Sequence, residues 1–334
     1  MPAPLRARLV ECIEKVRKEY PQAKEVKGAK LLQTDKGRRI LADFIDGAIN
    51  LGCLPTYVVG EKRYCAAAKI VETFCDPAYN SEAEWLPTGA NLDRQEVAEV
   101  IRSLPDKYLL EFMDAYRQPT LEGMLKSVES LGIALDLMGH QRLASTVRGN
   151  LAKLDELVEI ESAESENLRH NIAISLNYPV FVQFLGRANE FLKRNRYEGH
   201  VVHDESKEFE LAFKEVFRTL VGVGSHPIRS SFVLQDGQPI AFGLDAFKTF
   251  RMGQSSTELE LQGADYLASA VKGIALMALG SGVEADCPHM KRLAKKVLPF
   301  IVFMNSGMIL GSKEFIGLLM RPFAELLREL RAKN

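Results

Sequence analysis

The sequence predicts an α/β protein that carries a large all-helical insertion and a helical tail. Three observations point to that class. Helix and strand patterns alternate in the first ninety residues, only helical patterns follow from about 94 to 196, and strand-helix alternation returns at 200. The expected parts are a first piece of the α/β core at 1–90, a helical insertion at 91–197, a second core piece at 198–285 and C-terminal helices at 286–334.

Residues 4–19 read as an amphipathic helix, with Leu5, Leu9, Cys12, Ile13 and Val16 recurring on one face. A basic stretch with two glycines, KEVKGAKLLQTDKGRR, leads to a second helix near 37–51 that gathers Ile40, Leu41, Phe44, Ile45 and Ile49. LPTYVVGEK then reads as a buried strand, 55–60, which ends on Glu61 and Lys62. In the helical block the breaks fall at Pro105, Pro119 and Gly139, and the acidic run from Asp155 to Glu166 is a solvated helix face. HVVHDES is a short strand with a polar C-terminal end, and KEFELAFKEVFRTL is a helix with Phe209, Phe213, Val216 and Phe217 on one side. A hairpin is expected in SSFVLQDGQPIAFGLDAFKTF, turning at Asp236-Gly237. A long apolar helix follows at 258–280, and one or two more helices from Met290 onward.

Composition bounds the function only loosely. The chain has 334 residues, is 46% hydrophobic and 26% charged, and carries a formal net charge of -1, which is ordinary for a globular protein. That charge neither supports nor excludes nucleic acid, because a basic face can be balanced by an acidic one. Five cysteines without CxxC spacing read as reduced thiols of a cytoplasmic protein. The N-terminus has no apolar core of a secretory signal. The most apolar run, 297–311, is broken by Asn305-Ser306-Gly307 and is too short to span a bilayer, so no membrane partner is expected.

The informative feature is where the acids stand. Asp204 and Glu205 follow one strand and Glu61 ends another, and strand ends of open α/β sheets face the crevice where ligands bind. Asp265 lies in an otherwise apolar helix with Gln262 one turn earlier, and a carboxylate there is costly to bury without a partner. Separated carboxylates of this kind suit a two-metal phosphodiester site, because each Mg²⁺ takes one or two carboxylates and leaves positions for water and phosphate. Each acid also has a plain structural reading: Glu61 and Asp204 as common strand-end acids, Asp265 as a helix acid favoured by the dipole. Lys27 and Lys62 suit phosphate as compact cationic donors, or are ordinary surface lysines. His203 alternates with its strand neighbours and is expected to face away from Asp204.

Four segments in order, EVKGAKLL (25–32), YVVGEKRYCAAAKIV (57–71), VVHDES (201–206) and SSTELELQGADYLASAV (255–271), resemble the domain-of-unknown-function family numbered 3800. The strongest match is a Ser followed by Gln-x-x-Asp, carried by Ser255 or Ser256, Gln262 and Asp265. The Glu-x-Lys-Gly of Glu25, Lys27 and Gly28 and the post-strand Asp204 add to it. The resemblance covers about 1–80 and 198–280. It implies a bacterial protein with an RNase H-like mixed sheet and a metal-dependent nuclease activity. On that implication Asp204 and Asp265 ligate Mg or Mn, Glu205 stands beside them, and Glu61 or Glu25 completes the shell. Glu25, Lys27, Lys62, Ser256 and Gln262 are then expected to face a nucleic-acid substrate.

One departure stands out. The family opens with an Asp-Glu-Ser-Gly strand and a hairpin, whereas this sequence has Met1-Pro2-Ala3-Pro4 where that hairpin would end. The expectation is therefore a sequence starting at an internal Met, with an incomplete sheet whose central strand is missing. Such a sheet leaves an apolar groove for a partner strand or a homo-oligomer contact. The alternative is a catalytically reduced RNase H-like protein that acts as a binding or assembly module.

Overall fold

A computed structural model describes residues 3–77, 80–85, 92–167, 177–205, 210–223, 243–284, 286–303 and 307–331. The chain is mostly helical. Its first part runs α1 (Ala3–Lys18), α2 (Gly28–Leu31), α3 (Asp35–Asn50), β1 (Tyr57–Gly60) and α4 (Lys62–Phe74). The helical block follows as α5 (Leu92–Ser103), α6 (Asp106–Arg117), α7 (Leu121–Leu137), α8 (Gln141–Gly149), α9 (Leu154–Asn167) and α10 (Asn177–Arg194). Then come β2 (Gly199–Asp204), α11 (Glu210–Val223), β3 (Phe247–Gly253), α12 (Leu259–Ala278), α13 (Pro288–Val297), α14 (Pro299–Val302), β4 (Gly307–Leu310) and α15 (Lys313–Arg331).

The breaks expected from proline and glycine are where the helices end. Pro105 separates α5 from α6, Pro119 lies between α6 and α7, and Gly139 takes φ +82° just after α7, a conformation that suits a residue without Cβ. Thr34 and Thr120 cap α3 and α7 by accepting from the N–H of Gly37 at 3.0 Å and of Gly123 at 3.1 Å.

The strands correct the expected sheet. Among the described residues they form two separate two-stranded parallel sheets, β1 with β4 and β2 with β3, not one mixed sheet. The partner of β1 begins at Gly307 within the apolar run 297–311, where the sequence predicts only helices. A four-residue apolar run carries no period long enough to separate strand from helix, so β4 was illegible. The expected turn at Asp236-Gly237 lies outside the described residues.

Among the described residues three apolar cores result. The first packs Ile13 of α1, Leu41 and Phe44 of α3, Tyr57 of β1, Tyr266 and Ile274 of α12, Leu293 of α13 and Leu319 of α15. The second belongs to the helical block and begins already in α4, with Ile70 and Phe74 against Ile101, Phe112, Met124 and Leu131. The third is aromatic: Phe181 of α10, Phe213 and Phe217 of α11, and Phe247 of β3 lie around Val201. No helix among the described residues is long and apolar enough to cross a membrane.

Glu61 joins the first two cores. It follows β1, and its Oε2 accepts from the backbone N–H of Ser312 at 2.9 Å and from its hydroxyl at 2.7 Å, while Oε1 accepts from Arg102 Nε of α5 at 2.6 Å. Ser312 in turn caps α15, its Oγ accepting from Phe315 N–H at 3.1 Å. An anion at this N-terminus meets both orphan N–H groups and the positive end of the helix dipole. Burial pushes the Glu61 carboxyl upward, but the Ser312 hydrogen bonds and Arg102 outweigh it and hold it below the ordinary 4.5. A depressed carboxyl stabilises the fold above its unfolded pKa, and that contribution is lost as pH falls through the folded value. Glu61→Gln is therefore expected to cost about 1–2 kcal/mol at neutral pH, on the scale of one charge-assisted hydrogen bond. In urea unfolding of both proteins across pH, the difference should stay constant above about pH 5 and shrink below it. A difference that grows on acidification would contradict this role.

Candidate functional site

At the C-terminal ends of β2 and β3 the chain brings together residues from four separate stretches. Asp204 ends β2 opposite Gly253, the last residue of β3. Gly253 is buried, and a Cβ there would lie 2.9 Å from Val202 Cγ1 and 2.5 Å from Glu258 Oε1, so a larger residue would have to displace both side chains. A tight turn follows, with the N–H groups of Thr257 and Glu258 both donating to Gln254 O at 3.0 and 2.8 Å. That turn aims the Ser255 N–H at Asp204 Oδ1, 3.2 Å away, and the same oxygen accepts from Glu205 N–H at 3.1 Å.

α12 supplies the second acid. Asp265 lies beyond the first turn of α12, where the dipole has faded, so the dipole does not account for it. Its Oδ2 accepts instead from the Gly28 N–H at 2.7 Å. This contact needs glycine: a Cβ at 28 would lie 2.4 Å from Ser269 Oγ and 2.8 Å from the Asp265 carbonyl oxygen. α12 and the segment before α2 are thus packed backbone to backbone.

A cation stands near both acids. Lys27 Nζ donates to Glu25 Oε1 at 2.6 Å and to Ser255 Oγ at 3.4 Å. Hydrogen bonding to Glu25 raises the ammonium pKa most, burial opposes it, and the charges of Glu25, Asp204 and Asp265 add to the rise. Burial pushes the Glu25 carboxyl up, but hydrogen bonds from Lys27 and Ser255 hold it below its ordinary value.

Gln262, 1% exposed, donates from Nε2 to Ser255 O at 2.7 Å. Its buried Oε1 has no hydrogen-bond partner among the described residues. Glu205 is exposed and accepts from Gln254 Nε2 at 3.3 Å.

Seven of the residues singled out from sequence therefore meet here or at its rim: Asp204, Asp265, Glu205, Glu25, Lys27, Gln262 and, in the same turn, Ser256. Ser256 itself is exposed, and it is buried Ser255 that makes the contacts. Glu61 is held by Arg102 and Ser312, and Lys62 is exposed at the start of α4. His203 points the other way, as the alternation of a strand requires. Its ring lies 4.9 Å from Phe213 and edge-on to Phe181 at 5.8 Å, and its Nδ1 is 2.6 Å from the Asp204 carbonyl oxygen. Since a carbonyl only accepts, Nδ1 carries the proton in that contact.

The oxygen donors here fit a hard cation. Asp204 Oδ2 and Asp265 Oδ1 accept no hydrogen bond from the described residues, which leaves one oxygen of each acid for coordination. Mg²⁺ and Mn²⁺ take oxygen ligands, and Mg²⁺ needs only one or two protein carboxylates. Among the described residues no three His, Cys, Asp or Glu side chains group around a common metal position. The chain matches no protein-family model, no curated protein and no solved structure at a significant level.

Proposed function

We propose that the chain is a metal-dependent nuclease or phosphodiesterase built on an RNase H-like core, acting by water attack on a phosphodiester. The observation that carries this reading is that Asp204 and Asp265, from different elements, are each held by a backbone N–H, of Ser255 and of Gly28, and that the Lys27 ammonium reaches the same Ser255 at the C-terminal ends of β2 and β3. A divalent ion bound there would supply an acidified water and a Lewis acid for the phosphoryl oxygens.

The chain's own residues would do the rest. Asp204 and Asp265 would hold the ion, with the N–H groups of Ser255 and Gly28 fixing their rotamers. Lys27, 46% exposed, would offer N–H donors to a phosphate oxygen, and Gln262 keeps the Ser255 turn in register. Glu205 at the rim would be the remaining acid within reach of an attacking water.

A second reading is a catalytically reduced RNase H-like protein that binds or assembles. The count of two acids, where a pair of ions needs more, favours it. The two separate on one experiment: labelled single-stranded RNA, single-stranded DNA and RNA–DNA hybrid are incubated with the protein in Mg²⁺ or Mn²⁺. The nuclease reading expects cleavage of at least one substrate, stopped by a chelator. No cleavage of any of them favours the reduced protein.

A further inference from the structure

We propose that Cys12 and Cys53 are a thiol pair that a low-molecular-weight disulfide oxidises to a disulfide bond, pinning α1 to the end of α3. The inference is independent of the nuclease reading above and rests on the way α3 ends.

Leu51 caps the C-terminus of α3, and Gly52 then takes φ +84°, a left-handed conformation that glycine adopts without strain. The Gly52 N–H donates to Ile49 O at 2.8 Å and the Cys53 N–H to Ala48 O at 3.0 Å. This pair of bonds is how a glycine-terminated helix satisfies its last carbonyls. In that arrangement the side chain after the glycine folds back onto the last turn, three or four residues before the cap. For Cys53 those positions are Ala48 and Gly47.

Gly47 has no side chain, and α1 fills the space above it. A Cβ on Gly47 would lie 3.5 Å from Cys12 Sγ. One thiol is thus laid by α1 on the stretch of α3 onto which the helix end folds the other. Both cysteines are half-buried and pack against the first core. Burial pushes the Cys53 thiol up, and the charge of Cys12 raises it further, so the two lie within electrostatic reach. The other cysteines stand elsewhere: Cys65 Sγ is 4.0 Å from the Leu310 carbonyl oxygen, Cys75 is buried in the second core, and Cys287 is buried at the start of α13.

Both thiols are reduced in the structure. The thiolate of one attacks a sulfur of oxidised glutathione and expels a glutathione thiolate, which leaves a mixed disulfide. The thiolate of the other attacks the protein-side sulfur and expels the second glutathione. The chain loses two hydrogens, and oxidised glutathione gains them as two reduced molecules. The bond closes the loop from 12 to 53, which contains the Glu25–Gly28 segment, and closing a long loop restricts the unfolded chain most.

The test is treatment of the folded full chain with oxidised glutathione at alkaline pH, where thiolate is plentiful, followed by alkylation, proteolysis and mass spectrometry. Three proteins are compared: the parent, Cys12→Ser and Cys53→Ser, each checked for folding by thermal unfolding. The parent is expected to give one linked peptide pair carrying Cys12 and Cys53. Its urea midpoint should be higher after oxidation than after reduction, by about 0.5–1 M. Both serine variants should give no linked pair and no such shift. Glutathione on Cys12 or Cys53 of the parent without a link between them would overturn the proposal, and so would two thiols that stay free. A link from either cysteine to Cys65, Cys75 or Cys287, or a midpoint shift that persists in a serine variant, would overturn it as well.

Discussion

Asp265→Asn is expected to abolish metal-dependent cleavage while leaving the protein folded. The amide oxygen can still accept the Gly28 N–H, now at 2.7 Å from Oδ2, so the packing of α12 against the Glu25–Gly28 segment survives. What is lost is the charge. Asn cannot offer an anionic oxygen to Mg²⁺ or Mn²⁺, and the two-acid site becomes a one-acid site. Even groups that only orient metal ligands are worth about 10–100-fold, so loss of a ligand should cost at least ~100-fold in rate. The change should appear in the turnover with saturating substrate, with an unfolding midpoint close to that of the parent. Cleavage unchanged by Asp265→Asn would remove Asp265 from the mechanism.

Gly28→Ala is expected to have the largest effect on stability, and through the backbone. The added methyl would stand 2.4 Å from Ser269 Oγ, 2.7 Å from Ser269 Cβ and 2.8 Å from the Asp265 carbonyl oxygen. A hydroxyl could rotate away, but a Cβ and a helix carbonyl cannot. Ser269→Ala should therefore fail to rescue it. Overpacking of this kind costs about 1–3 kcal/mol, and the Gly28 N–H should move off Asp265 as the helix gives way. Urea unfolding measures the first effect. Gly317→Ala is the control, because nothing lies within 4 Å of a Cβ at that exposed helical position. It should be neutral or gain up to ~1 kcal/mol from helix propensity. Equal stability of Gly28→Ala and the parent would contradict the close packing of Gly28 on α12.

Much of this was legible in the sequence because it depends on local periodicity. The stripe Leu9, Ile13, Val16 places α1, the prolines and Gly139 punctuate the helical block, and the alternation in VVHDES sends His203 to the aromatic core and Asp204 to the Ser255 turn. Neighbours remote in sequence were not legible. Glu61 reads as a strand-end acid, yet its destination is set by Arg102 and Ser312, 41 and 251 positions away. Ser255 and Ser256 are indistinguishable in sequence, and only the turn after Gly253 decides which faces Asp204. The partner of β1 is not legible, because the four residues Gly307–Leu310 carry no period. The motif Glu-x-Lys-Gly is legible as a motif, but that its glycine N–H meets Asp265 and its lysine reaches Ser255 Oγ needed three dimensions.

The most direct test of the central claim is a crystal of the full chain soaked in Mn²⁺ and measured at a wavelength where manganese scatters anomalously. The account predicts a peak between the Asp204 and Asp265 carboxylates, with the Lys27 ammonium turned toward Glu25. A manganese peak elsewhere, or crystals that bind none while both carboxylates stay free and ionised, would contradict it.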